Sequence, residues 1–396
     1  MSRMAGARAT VGRVSWLAYR LGIHTMISAR ARRAVSLFRR SLSWQLGVVV
    51  AALAMALLPM PRGMVEVVYA GGFYPLVRDI ITAVSRLVDL ALFDVLLVAG
   101  SFLVVSWWVW RLSAASGGSR RATVAGLFAG TLVAAAALYL VFLATWGLNY
   151  RREALASRLE YDAAAINAER LEVLTASAIS ELNRLFDTTT DLRWPQLDDL
   201  PERLGPAFER VQRQLGGVRP ASSVRPRRSL LTPYFRRAGI DGMIDPFFLQ
   251  VLVNDTVLPF ERPFVTAHEW AHLAGFAHEA EANFVGWLVC LDGDQAMQYS
   301  GWMFLVPRLL GALPEEVQRW LEAQLADGPR ADYAALRARL SRVVPVVQQS
   351  ARRLNDQYLR ANRVTSGVAS YGEVVQLVLG TKLGRSQWPA SSLAVP

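Results

Sequence analysis

Apolar and polar positions divide this chain into two parts. In the first third, three stretches run apolar with hardly a charge: Trp44 to Met60, Leu90 to Trp110, and Thr123 to Trp146. Uncharged stretches near or above about 18–20 residues predict membrane-crossing helices. The first is short and closes on Pro59 and Pro61, the second holds Asp94, and the third is unbroken. Trp44, Trp107, Trp108, Trp110 and Trp146 fall near the expected ends, where interfacial aromatics belong.

Beyond residue 150 the period changes to that of amphipathic helices, expected over Ala163–Asp187, Pro201–Leu215, Pro314–Leu325, Ala331–Ala361 with a bend at Pro345, and Tyr371–Leu379. The Pro/Ser/Arg-rich run 220–237 reads as surface loop over part of its length. Gly242–Leu258, rich in aromatic and β-branched residues and broken by Pro246, reads as an extended strand with an edge position. A sheet edge of that kind can hold a peptide in extended form. Pro263 fits the first turn of the helix that follows. The tail after Gly384 reads as disordered.

The formal net charge is +11. Nine arginines precede the first apolar stretch, and Arg111, Arg120 and Arg121 flank the short link between the second and third. Their juxtamembrane position assigns them to anionic lipid head groups and not to nucleic acid. By the positive-inside rule the N-terminal segment and the short link are cytoplasmic, and three crossings leave residues 150–384 outside the cytoplasm. The first apolar stretch begins too late for a cleavable signal peptide and reads as a signal anchor. A single cysteine, Cys290, excludes an internal disulfide and reads as a buried packing residue.

Three of the four histidines lie in one run, AHEWAHLAGFAHEAEANF, residues 267–284. On a helix His268 and His272 share a face, four residues apart, and Glu269 stands one step round from them. This HExxH spacing suits a zinc ion held by two imidazoles, with Glu269 as general base toward a water. The surrounding Phe264, Val265, Trp270, Ala271 and Leu273 would bury these polar groups, and a cation offsets the cost of burying an unpaired carboxylate. A third ligand requires the helix to break, for which Gly275 is suited. His278, Glu279 and Glu281 are then the candidates. Tyr299 is a candidate oxyanion stabiliser, although a phenol packed in the core is the commoner role. Trp270 and Trp287 read as core, and Asn149 as a cap at the end of the third apolar stretch.

Two patterns compete over the third ligand. HEWAHLAGFAHE is similar to the metzincin run of the astacin type, which implies His278, but the arginine and aspartate that follow in astacins are absent. Glu279–Asn283 resembles the acidic second helix of membrane gluzincins, which implies Glu279 as ligand and Asn283 as the residue that orients a histidine. A wider resemblance covers most of the chain. Phe73–Pro75 (FYP), Trp146–Arg152 (WGLNYRR), Phe264 after Pro263, the histidine run, Tyr299–Trp302 (YSGW) and Tyr358–Val375 resemble a bacterial membrane-protein family, the domain of unknown function numbered 3810, grouped with zincin-type peptidases. That resemblance implies His268, His272 and an acidic third ligand, which ranks Glu279 first, His278 second and Glu281 third.

The expected architecture is mainly α: a basic segment 1–43, a three-helix transmembrane region over 44–149, a mostly helical zincin-like domain with a small β element over 150–384, and a flexible tail 385–396. The expected function is a membrane-anchored zinc metallopeptidase acting on a peptide or protein. The rival is a sensor or scaffold with a structural or closed metal site, which would need four protein ligands. A transporter has little support from three spans with one acid.

Overall fold

The computed structural model describes residues 43–189, 194–364 and 373–383. The expected basic segment before Ser43 and the expected tail lie outside these residues, as do residues 365–372 of the late run Tyr358–Val375. The described chain is mainly helical with one two-stranded sheet. The helices of seven residues or more are α1 (Ser43–Leu57), α2 (Arg62–Ser85), α3 (Leu92–Ser113), α4 (Arg120–Thr145), α5 (Ala168–Thr189), α6 (Gly205–Gln214), α7 (Thr232–Ala238), α8 (Arg262–Leu273), α9 (Glu279–Leu291), α10 (Gln295–Leu310), α11 (Glu315–Glu322), α12 (Asp327–Leu340), α13 (Pro345–Ala361) and α14 (Val374–Gly380).

Three of these are long and apolar enough to cross a membrane: α2, α3, and α4 with the short turn that precedes it. The first expected span, Trp44–Met60, falls on α1, a shorter apolar helix whose described residues are Ser43–Leu57. The unforeseen candidate is α2. Its residues Val65–Phe73 form a π-helix, whose wider turns bring Val65, Tyr69 and Tyr74 onto one buried face. Arg78, Thr82 and Ser85 continue that face at ordinary helical spacing.

The described residues divide into two compact units, one within 43–58 and 108–140, the other within 59–107 and 141–383. In the first, the Trp108 indole donates to Thr131 Oγ1 at 3.1 Å and its ring meets Phe128 edge-on at 5.1 Å.

The second unit is built around α8 and α9, which pack on each other, with α10 against both and α5 against α10. Aromatic side chains fill the centre: Trp270, Trp287 and Trp302 are fully buried, and Trp287 meets Trp302 edge-on at 5.7 Å. Trp270 stacks against Phe208 of α6 and donates to Val224 O, so it is core as expected. Cys290 is likewise fully enclosed. A large apolar core of this kind holds the unit without a disulfide.

The single strand expected over 242–258 is a hairpin instead. β1 (Gly242–Ile244) pairs antiparallel with β2 (Val251–Val253), and Pro246 lies in the connection. Pro cannot donate to a ladder, so it ends one strand rather than sitting within a long one. Arg227, from the expected loop, covers the other edge of β2 through hydrogen bonds to Val251 and Val253. Among the described residues no strand pairs with the outer edge of β1. The expected bent helix 331–361 is two helices, α12 and α13, because Pro345 starts a helix more readily than it continues one.

Asp94, the acid of the second apolar stretch, lies in the first turn of α3. Its carboxylate accepts from Ser229 Oγ at 2.6 Å and Leu230 N at 2.7 Å, so the charge is satisfied by the second unit.

Candidate metal centre

The histidine helix α8 begins at Arg262 with Pro263 in its first turn, as its sequence predicts. Its end is a Schellman motif: Phe276 N–H bonds to Ala271 O at 3.1 Å and Gly275 N–H to His272 O at 2.9 Å. Gly275 has φ +92°, a left-handed conformation that costs a residue with a Cβ dearly. There is also no room for one, because a Cβ there would lie 2.9 Å from the Arg152 guanidinium. This break reverses the chain, and α9 starts at Glu279 with His278 as its N-cap.

The reversal brings Glu279 back to the two imidazoles. Glu279 Oε2 lies 3.4 Å from His268 Nε2 and 3.6 Å from His272 Nε2. One ligand atom from each of the three lies within 4.8 Å of the others. Bonds of about 2.0–2.1 Å in a tetrahedral site require ligand atoms about 3.3–3.4 Å apart. The separations therefore fit an ion of that size, and the group could hold a metal. The close approach depends on Gly286, two turns after Glu279 on the same face of α9. A Cβ there would meet His268 N at 3.0 Å and His268 Cα at 3.1 Å.

The electrostatics have the same origin. Burial by itself would depress the His272 imidazole, but the Glu279 carboxylate overrides burial and pushes it up to about 9. Burial would raise Glu279, yet His272 and His268 together hold it well below the usual carboxylate range. The proton that Glu279 holds on His272 is charge that a cation would replace. The His272 ring is oriented by the backbone, through a 2.8 Å hydrogen bond between Nδ1 and Phe276 O. A carbonyl partner fixes Nδ1 as the protonated nitrogen and frees Nε2 for a ligand.

Glu269 is buried, and its Oε2 has no partner among the described residues. Desolvation raises its pKa, against the nearby imidazoles. Its other oxygen lies against β1, where a Cβ on Gly242 would stand only 2.7 Å from Oε1.

The remaining candidates have other places. The His278 ring meets Tyr150 edge-on at 6.0 Å and is outside the donor group. Glu281 is buried and accepts the Leu155 N–H at 2.7 Å. Tyr299 is fully buried, packs on Phe186 and Trp194, and donates to Asp332 at 2.6 Å. Its hydroxyl is engaged there, in the packing role the sequence reading weighed against the oxyanion role. Asn283 is buried one turn after Glu279, and its amide nitrogen bonds to neither histidine.

The short runs scattered along the sequence converge behind this site. Tyr74 of FYP donates to Leu273 O at 2.8 Å. From WGLNYRR, the Trp146 indole donates to His272 O at 3.2 Å and Arg152 donates to Gly275 O at 3.0 Å. Asn149 caps the end of α4 through Trp146 O, as expected. Tyr150 lies between His278 and Tyr358, with ring centroids 5.8 Å apart in the second pair. Tyr74, Trp146 and Arg152 thus satisfy the carbonyls at the end of α8. Periodicity could not reveal this, because the partners lie more than a hundred residues away.

Fold and site together define a mainly helical protein with apolar helices suited to a membrane and a His/His/Glu group in its helical core. The chain belongs to the family described as Protein of unknown function (DUF3810), whose model matches residues 69–379. No curated protein and no solved structure matches it.

Proposed function

We propose that this protein is a membrane-anchored, zinc-dependent hydrolase that cleaves peptide bonds. The observation that carries the reading is the buried, unpartnered Glu269 Oε2 beside a three-member donor group. His268, His272 and Glu279 would hold the ion. When bound, zinc supplies Lewis acidity to the scissile carbonyl and to water.

The other steps belong to the chain. Glu269 takes the proton of the attacking water, and its raised proton affinity lets it hold that proton and pass it to the leaving amine. The outer edge of β1, unpaired among the described residues on a strand whose face Glu269 meets at Gly242, supports a peptide substrate, since an extended backbone can add to it. Phe276 O and Glu279 keep the His272 ring in place throughout.

Three protein ligands leave a tetrahedral ion one open position, which is the catalytic pattern. A sensor or scaffold with a closed site would need a fourth ligand, and His278 and Glu281 are directed to Tyr150 and Leu155 instead. The domain lies outside the cytoplasm in this reading. Support comes from Arg111, Arg120 and Arg121 around the α3–α4 link.

The test is metal analysis of the purified protein and of His268→Ala, with peptide cleavage followed by mass spectrometry for wild type and Glu269→Gln. We expect one zinc per wild-type chain, loss of metal in His268→Ala, and retained metal without turnover in Glu269→Gln. Turnover by Glu269→Gln at the wild-type rate would end the assignment.

A further inference from the structure

Helix α2 has two faces of opposite character. One is buried within the second unit and carries Tyr74, Arg78 and Ser85. The other runs from Val67 to Val84, is exposed, and holds no charged or polar side chain. Val67, Val68, Phe73, Leu76, Ile80 and Val84 on that face are 48–74 % exposed.

Length and composition would let α2 cross a membrane, but its charges are wrongly placed for that. Arg78 and Asp79, which lie past the helix midpoint, pair at 2.8 Å, and Asp79 also pairs at 2.7 Å with Arg219, whose side chain is 54 % exposed. A crossing α2 would set this charged group deep in hydrocarbon, where charge is strongly disfavoured.

The attachments of its two ends point the same way. Ser85, the last residue of α2, donates to Phe248 O, two residues from the Pro246 carbonyl that accepts from Thr145 at the end of α4. Near the other end, Glu66 is held by Arg152, only seven residues past Thr145. Glu66 and Ser85 are about 28 Å apart along the helix at 1.5 Å per residue. Between these ends Tyr74 donates to Leu273 O and Arg78 to Arg219 O and Pro220 O, so α2 is docked along its length on residues that follow α4. The α3 helix starts at the same place: Leu92 N–H donates to Gln250, and Phe93 stacks on Phe247 at 6.4 Å.

We infer that α2 lies flat on the membrane, with its Val67–Val84 face sunk into the boundary between head groups and acyl chains. Lipid is the occupant because α2 ends only seven residues before the membrane-length helix α3 and its face has no polar side chain with which to fix the register of a protein partner. Through the Tyr74 hydroxyl on Leu273 O, α2 then holds the end of α8 at the lipid boundary.

The test uses full-length protein in liposomes with single cysteines at Val68, Leu76 or Val84, and a fourth at Phe102 in the middle of α3. The one native cysteine is fully buried and stays out of the labelling. Each is labelled with a thiol fluorophore and quenched with lipids brominated at graded acyl depths. We expect Phe102 to report the bilayer centre and the three α2 positions one shared shallow depth, about 5–10 Å below the head groups. A progressive change in depth of about 24 Å from Val68 to Val84 would overturn the inference in favour of a crossing helix. Aqueous quenching, or protection from both phases, at the α2 positions would overturn it in favour of solvent or a protein partner. A Phe102 label outside the bilayer would remove its membrane premise. None of these readouts uses metal or hydrolysis, so each outcome is separate from that of the proposed function.

Discussion

Replacing Gly242 by Ala tests Glu269 without touching a metal ligand. The added Cβ would lie 2.7 Å from Glu269 Oε1, 3.0 Å from Cγ and 3.1 Å from Cδ. Ordinary contact begins near 3.4 Å, so the carboxylate must retreat by about 0.7 Å or the strand must yield. A misplacement of about 1 Å can lower a rate by roughly a hundredfold, so about 10- to 100-fold loss of peptide cleavage is expected. Overpacking costs about 1–3 kcal/mol, partly offset by about 0.4–1 kcal/mol from the stiffer unfolded chain. The melting temperature should therefore fall by no more than about 10 °C, as a change of about 1 kcal/mol moves a large domain by about 2–4 °C. His268, His272 and Glu279 are untouched, so zinc content should equal that of wild type. Cleavage, metal stoichiometry and thermal melting would be measured on the same preparation. Undiminished cleavage by a folded, metal-loaded Gly242→Ala protein would refute the claim that Glu269 moves the proton from this position.

Other consequences are open to measurement. Gly286→Ala presses a methyl onto the His268 backbone and should cost about 1–3 kcal/mol while weakening zinc affinity, both readable by melting with and without metal. Glu279→Gln should lower zinc affinity, because a neutral amide replaces the carboxylate between the imidazoles, and a chelator competition would report it. Asp245 is fully buried, and desolvation raises its pKa to about 6 against the hydrogen bonds from Phe247 and Phe248. The folded state then binds this proton more tightly than the unfolded chain. Its stabilising contribution is complete below the ordinary value near 4 and is lost as pH rises through about 6. Asp245→Asn should flatten the pH dependence of stability across that window by up to roughly 3 kcal/mol, and an unchanged profile would assign the proton elsewhere.

Much of this protein is written in local pattern. Apolar runs gave α3 and α4, because a crossing helix needs only length and freedom from charge. The i, i+4 spacing put His268 and His272 together, since a helix fixes that relation by itself. Gly275 announced the break, because a left-handed residue excludes most side chains. The first-ranked third ligand, Glu279, is the one that joins the donor group. Choosing among His278, Glu279 and Glu281 from spacing alone was impossible, since they are consecutive or nearly so and the turn angle after Gly275 decides which faces back.

The tertiary structure decided what depends on distant partners. Gly242 and Gly286 carried no signal in the sequence, because a missing Cβ matters only when another element lies within about 3 Å of it. Helix α2 escaped notice because Arg78 and Asp79 interrupt its hydropathy, and only docking onto the 219–220 backbone shows why those charges are tolerated. Tyr299 has the chemistry of an oxyanion donor, but its position in the fold commits it to Asp332. Sequence sets which groups are available and how each helix presents them. Packing across more than a hundred residues sets which of them meet, because burial forces every polar group to find a partner and the nearest one is seldom near in the chain.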